Sequence, residues 1–167
     1  NTAVGHSAGT SVTTGVENTL IGGLAGDALT DADYNVAIGY TALSADTLGS
    51  RSVAIGRAAL QVQNFTSATD TYNTAVGFFA GLLVTTGVQN TLIGGLTGDA
   101  LTTGTGNVAL GYNSLSSDTT GSSTVAIGKS ALAAQNLSGG ANSFNTAVGH
   151  EVGQAITTGV ENTLIGA

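Results

Sequence analysis

Few residues that could ligate a metal or take part in catalysis occur here at a spacing that would form a site. His6 and His150 hold equivalent places in an internal repeat, but Phe78 holds the third such place. A histidine that ligates a metal or transfers a proton would not exchange with phenylalanine, which has no nitrogen for either task. Ser, His and Asp occur without a spacing that would assemble them as nucleophile, base and orienting group. We therefore predict that the protein is not an enzyme and needs no cofactor.

The cluster Asp27, Asp31 and Asp33 suits a cation, because Ca²⁺ takes carboxylate oxygens as ligands. The second copy of this stretch keeps Asp99 but has threonine at the other two places. A solvated corner of the chain explains the cluster better. Since there is no Cys, thiolate metal sites and disulfides are also excluded, and we predict no metal site.

Two pairs of recurrent residues are candidate ligand contacts. Tyr40 and Tyr112 share one slot of the repeat. Asn64 and Asn136 begin Asn-x-Ser/Thr sequons at matching places in two long polar stretches. These four residues could contact a glycan or a surface protein. Duplication of the repeat accounts for their recurrence equally well.

The charge balance limits the partners. Ten acidic residues against three basic ones give a net charge of −7, and three cations cannot supply the Lys/Arg stripe that neutralises phosphates. No apolar run approaches the roughly 20 residues that a membrane span needs, and no signal peptide is visible. We predict no nucleic-acid partner and no membrane insertion by this segment, and we interpret the sequence as a fragment of a longer chain.

The elements that must position these residues come from a recurring five-residue string of the form Asn, small or β-branched, small apolar, aliphatic, Gly. It starts at residues 1, 18, 35, 52, 73, 90, 107, 124, 145 and 162. Three turns of 17 residues and one of 21 therefore make a 72-residue superrepeat. Residues 1–167 form a single repeat array with superrepeats 1–72 and 73–144 and a partial copy, 145–167.

The fourth position of the string is always aliphatic, and this column predicts the core. Strand alternation would then turn the third position outward. An outward column without a polar residue predicts a second surface packed against it, because a solvated strand face normally alternates polar with apolar residues. The predicted core is Val4, Ile21, Ile38, Ile55, Val76, Ile93, Leu110, Ile127, Val148 and Ile165. The predicted oligomer interface is Ala3, Leu20, Ala37, Ala54, Ala75, Leu92, Ala109, Ala126, Ala147 and Leu164.

The fifth position is Gly in all ten copies, which indicates a corner after each strand. A second short apolar stretch lies between this corner and the next string. Each turn is thus predicted to hold two short strands, and the fold class is all-β, a parallel β-solenoid of ten turns. At about 4.8 Å per turn the rod would be about 45–50 Å long.

The strings Ser52-Val53-Ala54-Ile55-Gly56 and Thr124-Val125-Ala126-Ile127-Gly128 resemble the head repeats of trimeric autotransporter adhesins. The 17-residue form, as in 35–51, is similar to the repeat arrays of phage tail fibres. This resemblance covers the whole chain and implies a left-handed β-roll, a homotrimer and an extracellular place on a cell surface or virion. The autotransporter repeat is usually shorter and lacks the 21-residue turn.

We therefore expect a structural or adhesive segment of an extracellular fibre, either a surface adhesin or a tail fibre, that acts as a rigid spacer for a distal receptor-binding surface. One alternative is a glycan- or surface-binding module that uses the long loops at 61–72 and 133–144. Another is the subunit of an end-to-end extracellular filament. Ice binding is disfavoured, because the second position alternates between Thr and Val and interrupts a threonine array.

Overall fold

The recurring string forms one three-residue strand in every turn. The computed structural model describes residues 1–166. The strands are β1 (Thr2–Val4), β2 (Thr19–Ile21), β3 (Val36–Ile38), β4 (Gly49–Ser50), β5 (Val53–Ile55), β6 (Thr69–Asp70), β7 (Thr74–Val76), β8 (Thr91–Ile93), β9 (Val108–Leu110), β10 (Val125–Ile127), β11 (Thr146–Val148) and β12 (Thr163–Ile165).

The ten strands built by the string stack into one parallel sheet in the order β1-β2-β3-β5-β7-β8-β9-β10-β11-β12. Equivalent positions pair directly, so that Thr2 faces Thr19, Ala3 faces Leu20 and Val4 faces Ile21. The pairing of β5 with β7 keeps this register across the 21-residue turn. The predicted fold class, a parallel β-solenoid of about ten turns, is confirmed, and no helix occurs in residues 1–166.

The second strand predicted in the second apolar stretch does not form in any of the turns within residues 1–166. Only β4 and β6 form a second, two-stranded sheet, and Ser122 and Asn142 add an isolated bridge. The reason is the backbone conformation of the second apolar stretch, where the seventh and ninth positions are left-handed, as at Leu24 (φ 58°) and Gly26 (φ 54°). Such residues coil the chain and cannot continue an extended strand.

The predicted facing of the strands is wrong, because the third position points inward and the fourth outward. Leu20, Ala37 and Leu92 are fully buried, whereas Ile21 is 37% exposed and Ile93 39%. The column assigned to an oligomer interface therefore lies inside the roll: Ala3, Leu20, Ala37, Ala54, Ala75, Leu92, Ala109, Ala126, Ala147 and Leu164. The column assigned to the core lies on the outer face: Val4, Ile21, Ile38, Ile55, Val76, Ile93, Leu110, Ile127, Val148 and Ile165.

The narrow interior explains this reversal. A Cβ atom added to Gly9 would lie 2.6 Å from Leu20 Cδ1, and one added to Gly26 would lie 2.8 Å from Leu20 Cδ2. The opposite wall thus carries glycine where the third position is leucine. Where the third position is alanine, as in Ala37 and Ala54, the space is filled from the opposite side by Leu43 and Leu60. The remaining interior is filled by a further column that includes Leu29, Val84 and Leu101, all fully buried. A second set of bulky side chains from the fourth position would have no room there.

The glycine that ends each string is required by the close stacking of the turns. Gly5 has a φ of 141°, which favours glycine, and a Cβ on it would lie 2.4 Å from the carbonyl oxygen of Gly22. The same approach recurs from turn to turn, for example between Gly22 and Gly39. A side chain in this column would push successive turns apart.

Replacement of a third-position leucine tests the corrected facing. We expect Leu92→Ala to lower the free energy of unfolding by about 2–5 kcal/mol, because it leaves a cavity in the interior. Chemical denaturation of the wild type and the variant measures this loss. Leu83→Ala is the matched control, since Leu83 is 43% exposed and lies outside the sheet. Equal losses for the two variants would contradict an inward Leu92.

Candidate functional site

The outer face of the ten-stranded sheet is a repeated surface that runs through all ten turns. We call it the aliphatic face, and it consists of the fourth-position column together with the second-position column of Thr and Val. Ile21 and Ile93 are 37% and 39% exposed, Val4 and Ile165 at the two ends are 58% and 78% exposed, and the rest of the column is half-buried. A face that meets only water would be expected to alternate apolar with polar residues. This surface can bind another flat apolar surface.

An asparagine ladder holds the strands under the aliphatic face in register. Asn18 Oδ1 accepts a hydrogen bond of 2.9 Å from the backbone N–H of Asn35. Its Nδ2 donates to Ala32 O at 2.7 Å, which fastens the far end of the same turn. Because buried amides that satisfy both backbone ends are costly to remove, the first-position asparagine is a structural residue.

The ladder is interrupted where the first position is not asparagine, and a buried network replaces it there. At Ser52 the amide of Gln63 takes over, accepting from Asn73 Nδ2 at 2.8 Å through its Oε1. Its Nε2 donates to Ser52 Oγ at 2.9 Å and to Asp46 Oδ2 at 2.6 Å. Asp46 Oδ1 accepts from the N–H of Phe65 at 3.0 Å. Both oxygens of the Asp46 carboxylate therefore have hydrogen-bond partners inside the roll.

The second superrepeat repeats the network with Asp118, Gln135, Thr124 and Asn145. Gln135 Nε2 donates to Asp118 Oδ2 at 2.7 Å and to Thr124 Oγ1 at 3.1 Å, and Asn145 Nδ2 donates to Gln135 Oε1 at 2.8 Å. Sequence reasoning missed these aspartates and glutamines. A signal was present, since the two interruptions of the asparagine column fall in the two turns that carry four extra residues.

Removal of the bridging amide tests this network. We expect Gln63→Met to lower the free energy of unfolding by about 1–3 kcal/mol, because a buried carboxylate oxygen of Asp46 loses its donor. Thermal or denaturant unfolding followed by circular dichroism measures the change. Gln154→Met, the same substitution at an exposed site, should leave the stability unchanged. A neutral Gln63→Met would show that the network adds nothing to the ladder.

The candidate ligand contacts lie in two separate columns. Tyr40 and Tyr112 are 54% and 56% exposed and stand in the column that directly follows the string glycine, beside the aliphatic face. Asn64 and Asn136 lie in a column of threonines, where Asn64 Oδ1 accepts from Thr47 Oγ1 at 3.2 Å. Asn136 makes the equivalent contact with a threonine of the preceding turn. The structure therefore does not bring the tyrosines and asparagines into one site.

A charged cluster covers the end of the first long loop. Arg51 Nε lies 2.9 Å from Asp70 Oδ1, and its guanidinium carbon lies 4.7 Å from the centre of the Tyr34 ring. The hydrogen bond and charge of Asp70 raise the pKa of the Arg51 guanidinium. Tyr72 donates to Asp70 at 3.3 Å. Since serine stands at 123 where Arg51 has its equivalent, the cluster belongs to the first superrepeat alone.

The acidic corner is tied down by the chain itself. Asp31 accepts from the Thr14 hydroxyl, and Asp33 accepts from the Val16 N–H at 2.8 Å. Within residues 1–166, no group of three or more His, Cys, Asp or Glu side chains is placed to hold a metal ion. The same residues form no pocket, so a ligand of this part of the chain would bind to an open surface.

Asp99 and its counterpart Asp27 each bury a carboxylate oxygen without a hydrogen-bond partner. Desolvation raises the pKa of the Asp99 carboxyl, against the backbone N–H groups of Asp99 and Ala100, which lower it. A carboxyl with a raised pKa in the folded state binds its proton more tightly there than in the unfolded chain. Its contribution to stability is therefore highest below the unfolded pKa of about 3.9 and falls as the pH rises toward the folded value.

Asp99→Asn should remove the fall in stability that accompanies ionisation of the Asp99 carboxyl. We expect the variant to gain stability over the wild type on going from about pH 3 to about pH 7, because the asparagine has no charge to desolvate. Unfolding curves of both proteins across this range give the difference. Asp31→Asn, at an exposed carboxylate, serves as the control. A difference that stays constant with pH would contradict the assigned shift.

Comparison with protein-family models, with curated proteins and with solved structures finds no match to this chain. Residues 1–166 also contain no helix long and apolar enough to cross a membrane.

Proposed function

We propose that this chain is a structural segment of an extracellular fibre, in which three copies pack side by side through their aliphatic faces. The observation that carries the proposal is the outward fourth-position column, an unbroken row of Val, Ile and Leu along the sheet. Exposed apolar patches of this extent are typical of interaction sites. The chain count of three and the extracellular place follow from the resemblance to adhesin heads and tail fibres.

The shape of the aliphatic face favours a copy of the same chain as its partner. Its side chains recur at each turn, with the same pairing from β1 to β12. A second copy of the roll presents the same spacing of about 4.8 Å, so that side chains of one copy can fit between those of the next. A globular partner would have to match this period by chance along the whole rod.

The backbone bonding between turns supports the role of a spacer. Thr19 N donates to Asn35 O at 2.8 Å on the sheet side, and Gly26 N donates to Ala42 O at 2.9 Å on the opposite side. Successive turns are therefore joined on both walls, and bending the rod would stretch hydrogen bonds on one of them. Ten turns extend for about 45 Å. Such a rod holds whatever lies beyond it at a fixed distance from its base.

The mass of the purified chain in solution tests the proposal. We expect light scattering to give about three times the 16.2 kDa of one chain. Ile21→Asp combined with Ile93→Asp should dissociate the assembly, because it places charges in the middle of an apolar contact. Circular dichroism should show that the solenoid remains, since both side chains are outside the core.

Val62→Asp combined with Val160→Asp is the matched control. These residues are 36% and 45% exposed but lie outside the sheet, so we expect the assembly to keep its mass. A wild-type monomer would contradict the proposed packing. An assembly that survives the Ile21 and Ile93 substitutions would contradict the role given to the aliphatic face.

A further inference from the structure

A second regular surface runs along the edge of the aliphatic face. It is formed by the sixth position of each turn, directly after the string glycine, and we call it the ridge. Among the residues that the structure describes, every second turn places an aromatic ring on it: His6, Tyr40, Phe78, Tyr112 and His150. The turns between carry glycine or a cation: Gly23, Arg57, Gly95 and Lys129. The rings are thus two turns apart throughout, or about 9.6 Å.

The ridge is built on a rigid backbone. The carbonyl oxygen of each ridge residue accepts from the N–H of the seventh residue in the next turn, as Tyr40 O does from Ala58 N at 2.9 Å. Tyr112 O likewise accepts from Ser130 N at 2.9 Å. The spacing of the rings is therefore set by the solenoid itself, and little ordering is lost when a ligand binds.

The glycines between the rings leave the two tyrosines accessible. A Cβ on Gly23 would lie 3.3 Å from Tyr40 Cδ2, and one on Gly95 would lie 3.5 Å from Tyr112 Cδ2, so each tyrosine has an edge against a glycine. Tyr40, Phe78 and Tyr112 remain 50–56% exposed. One face of the Phe78 ring is stacked on Phe79, with 4.0 Å between the ring centres.

The two charged residues of the ridge, Arg57 and Lys129, are hydrogen-bond donors. The Arg57 guanidinium lies 5.6 Å from the Phe78 ring centre and 5.1 Å from that of Phe79. Lys129 Nζ lies 3.5 Å from Glu151 Oε1 at an exposed pair. Exposed aromatic rings with N–H donors between them suit sugars, whose C–H faces stack on rings while their hydroxyls take hydrogen bonds. The net charge of −7 disfavours acidic glycans.

We infer that the ridge binds an extended neutral β-1,4-linked glycan, a glucan or its N-acetylglucosamine counterpart, with the sugar chain parallel to the rod. In such a chain every second pyranose turns the same face to one side, and this disaccharide length is close to two solenoid turns. Each ridge aromatic then stacks on alternate sugars. α-1,4-linked glucans coil and cannot meet rings in a straight row.

Titration calorimetry with cellohexaose and chitohexaose tests this inference, with maltohexaose as the α-linked control. We expect binding of at least one β-linked hexasaccharide and none of maltohexaose. Tyr112→Ala should weaken the binding by at least about fivefold, as truncation of an aromatic anchor does. Tyr72→Ala is the matched control, because Tyr72 is 54% exposed on the other edge of the sheet. It should bind like the wild type.

A variant that moves one ring tests the two-turn spacing. Tyr112→Gly combined with Lys129→Tyr keeps the number of rings but displaces one by a single turn, and we expect it to bind as weakly as Tyr112→Ala. Wild-type affinity in this variant, equal binding of maltohexaose, or no binding of either β-linked sugar would overturn the inference. Light scattering on the same samples separates this outcome from a failure of fibre assembly, on which the inference does not depend.

Discussion

The thinness of the solenoid interior is the constraint on which the other features depend. Its interior is filled by third-position leucines such as Leu20, by leucines of the opposite wall such as Leu43, and by side chains between the walls such as Leu29, all fully buried. Dense packing in so narrow a space leaves no place for Val and Ile at the fourth position. They are turned outward as a consequence, and together they form the aliphatic face.

The buried polar side chains each satisfy more than one hydrogen-bonding group. Each asparagine of the ladder satisfies one backbone group of its own turn and one of the next, as Asn18 does with Ala32 and Asn35. In the 21-residue turn the glutamine amide instead bonds other side chains: Gln63 accepts from Asn73 Nδ2 and donates to Asp46 Oδ2. The insertion is therefore accommodated by a specific network, and the register of the sheet passes through it unchanged.

The aliphatic face and the ridge lie side by side and suit different partners. The aliphatic face offers a flat contact that repeats along the rod, which suits association of equal rods. The ridge beside it offers rings and donors at a period of two turns, which suits a linear polymer. Both surfaces derive their regularity from the stacking of the turns, because a side chain at a given position recurs at the strand spacing. A fibre segment that also holds an extended glycan would use both.

The sequence by itself determined the solenoid, the number of turns, the registration of the columns and the glycine corners, because each is written as a period in the residues. The same period does not determine which side of the strand faces inward. Alternation places Leu92 and Ile93 on opposite sides of the strand, but it does not show which of them is buried. The distance between the walls decided that, together with the left-handed residues that replaced the expected second strand. Tertiary structure alone also brought Asp46, Gln63 and Asn73 together, because they lie in different turns and meet only when the turns stack.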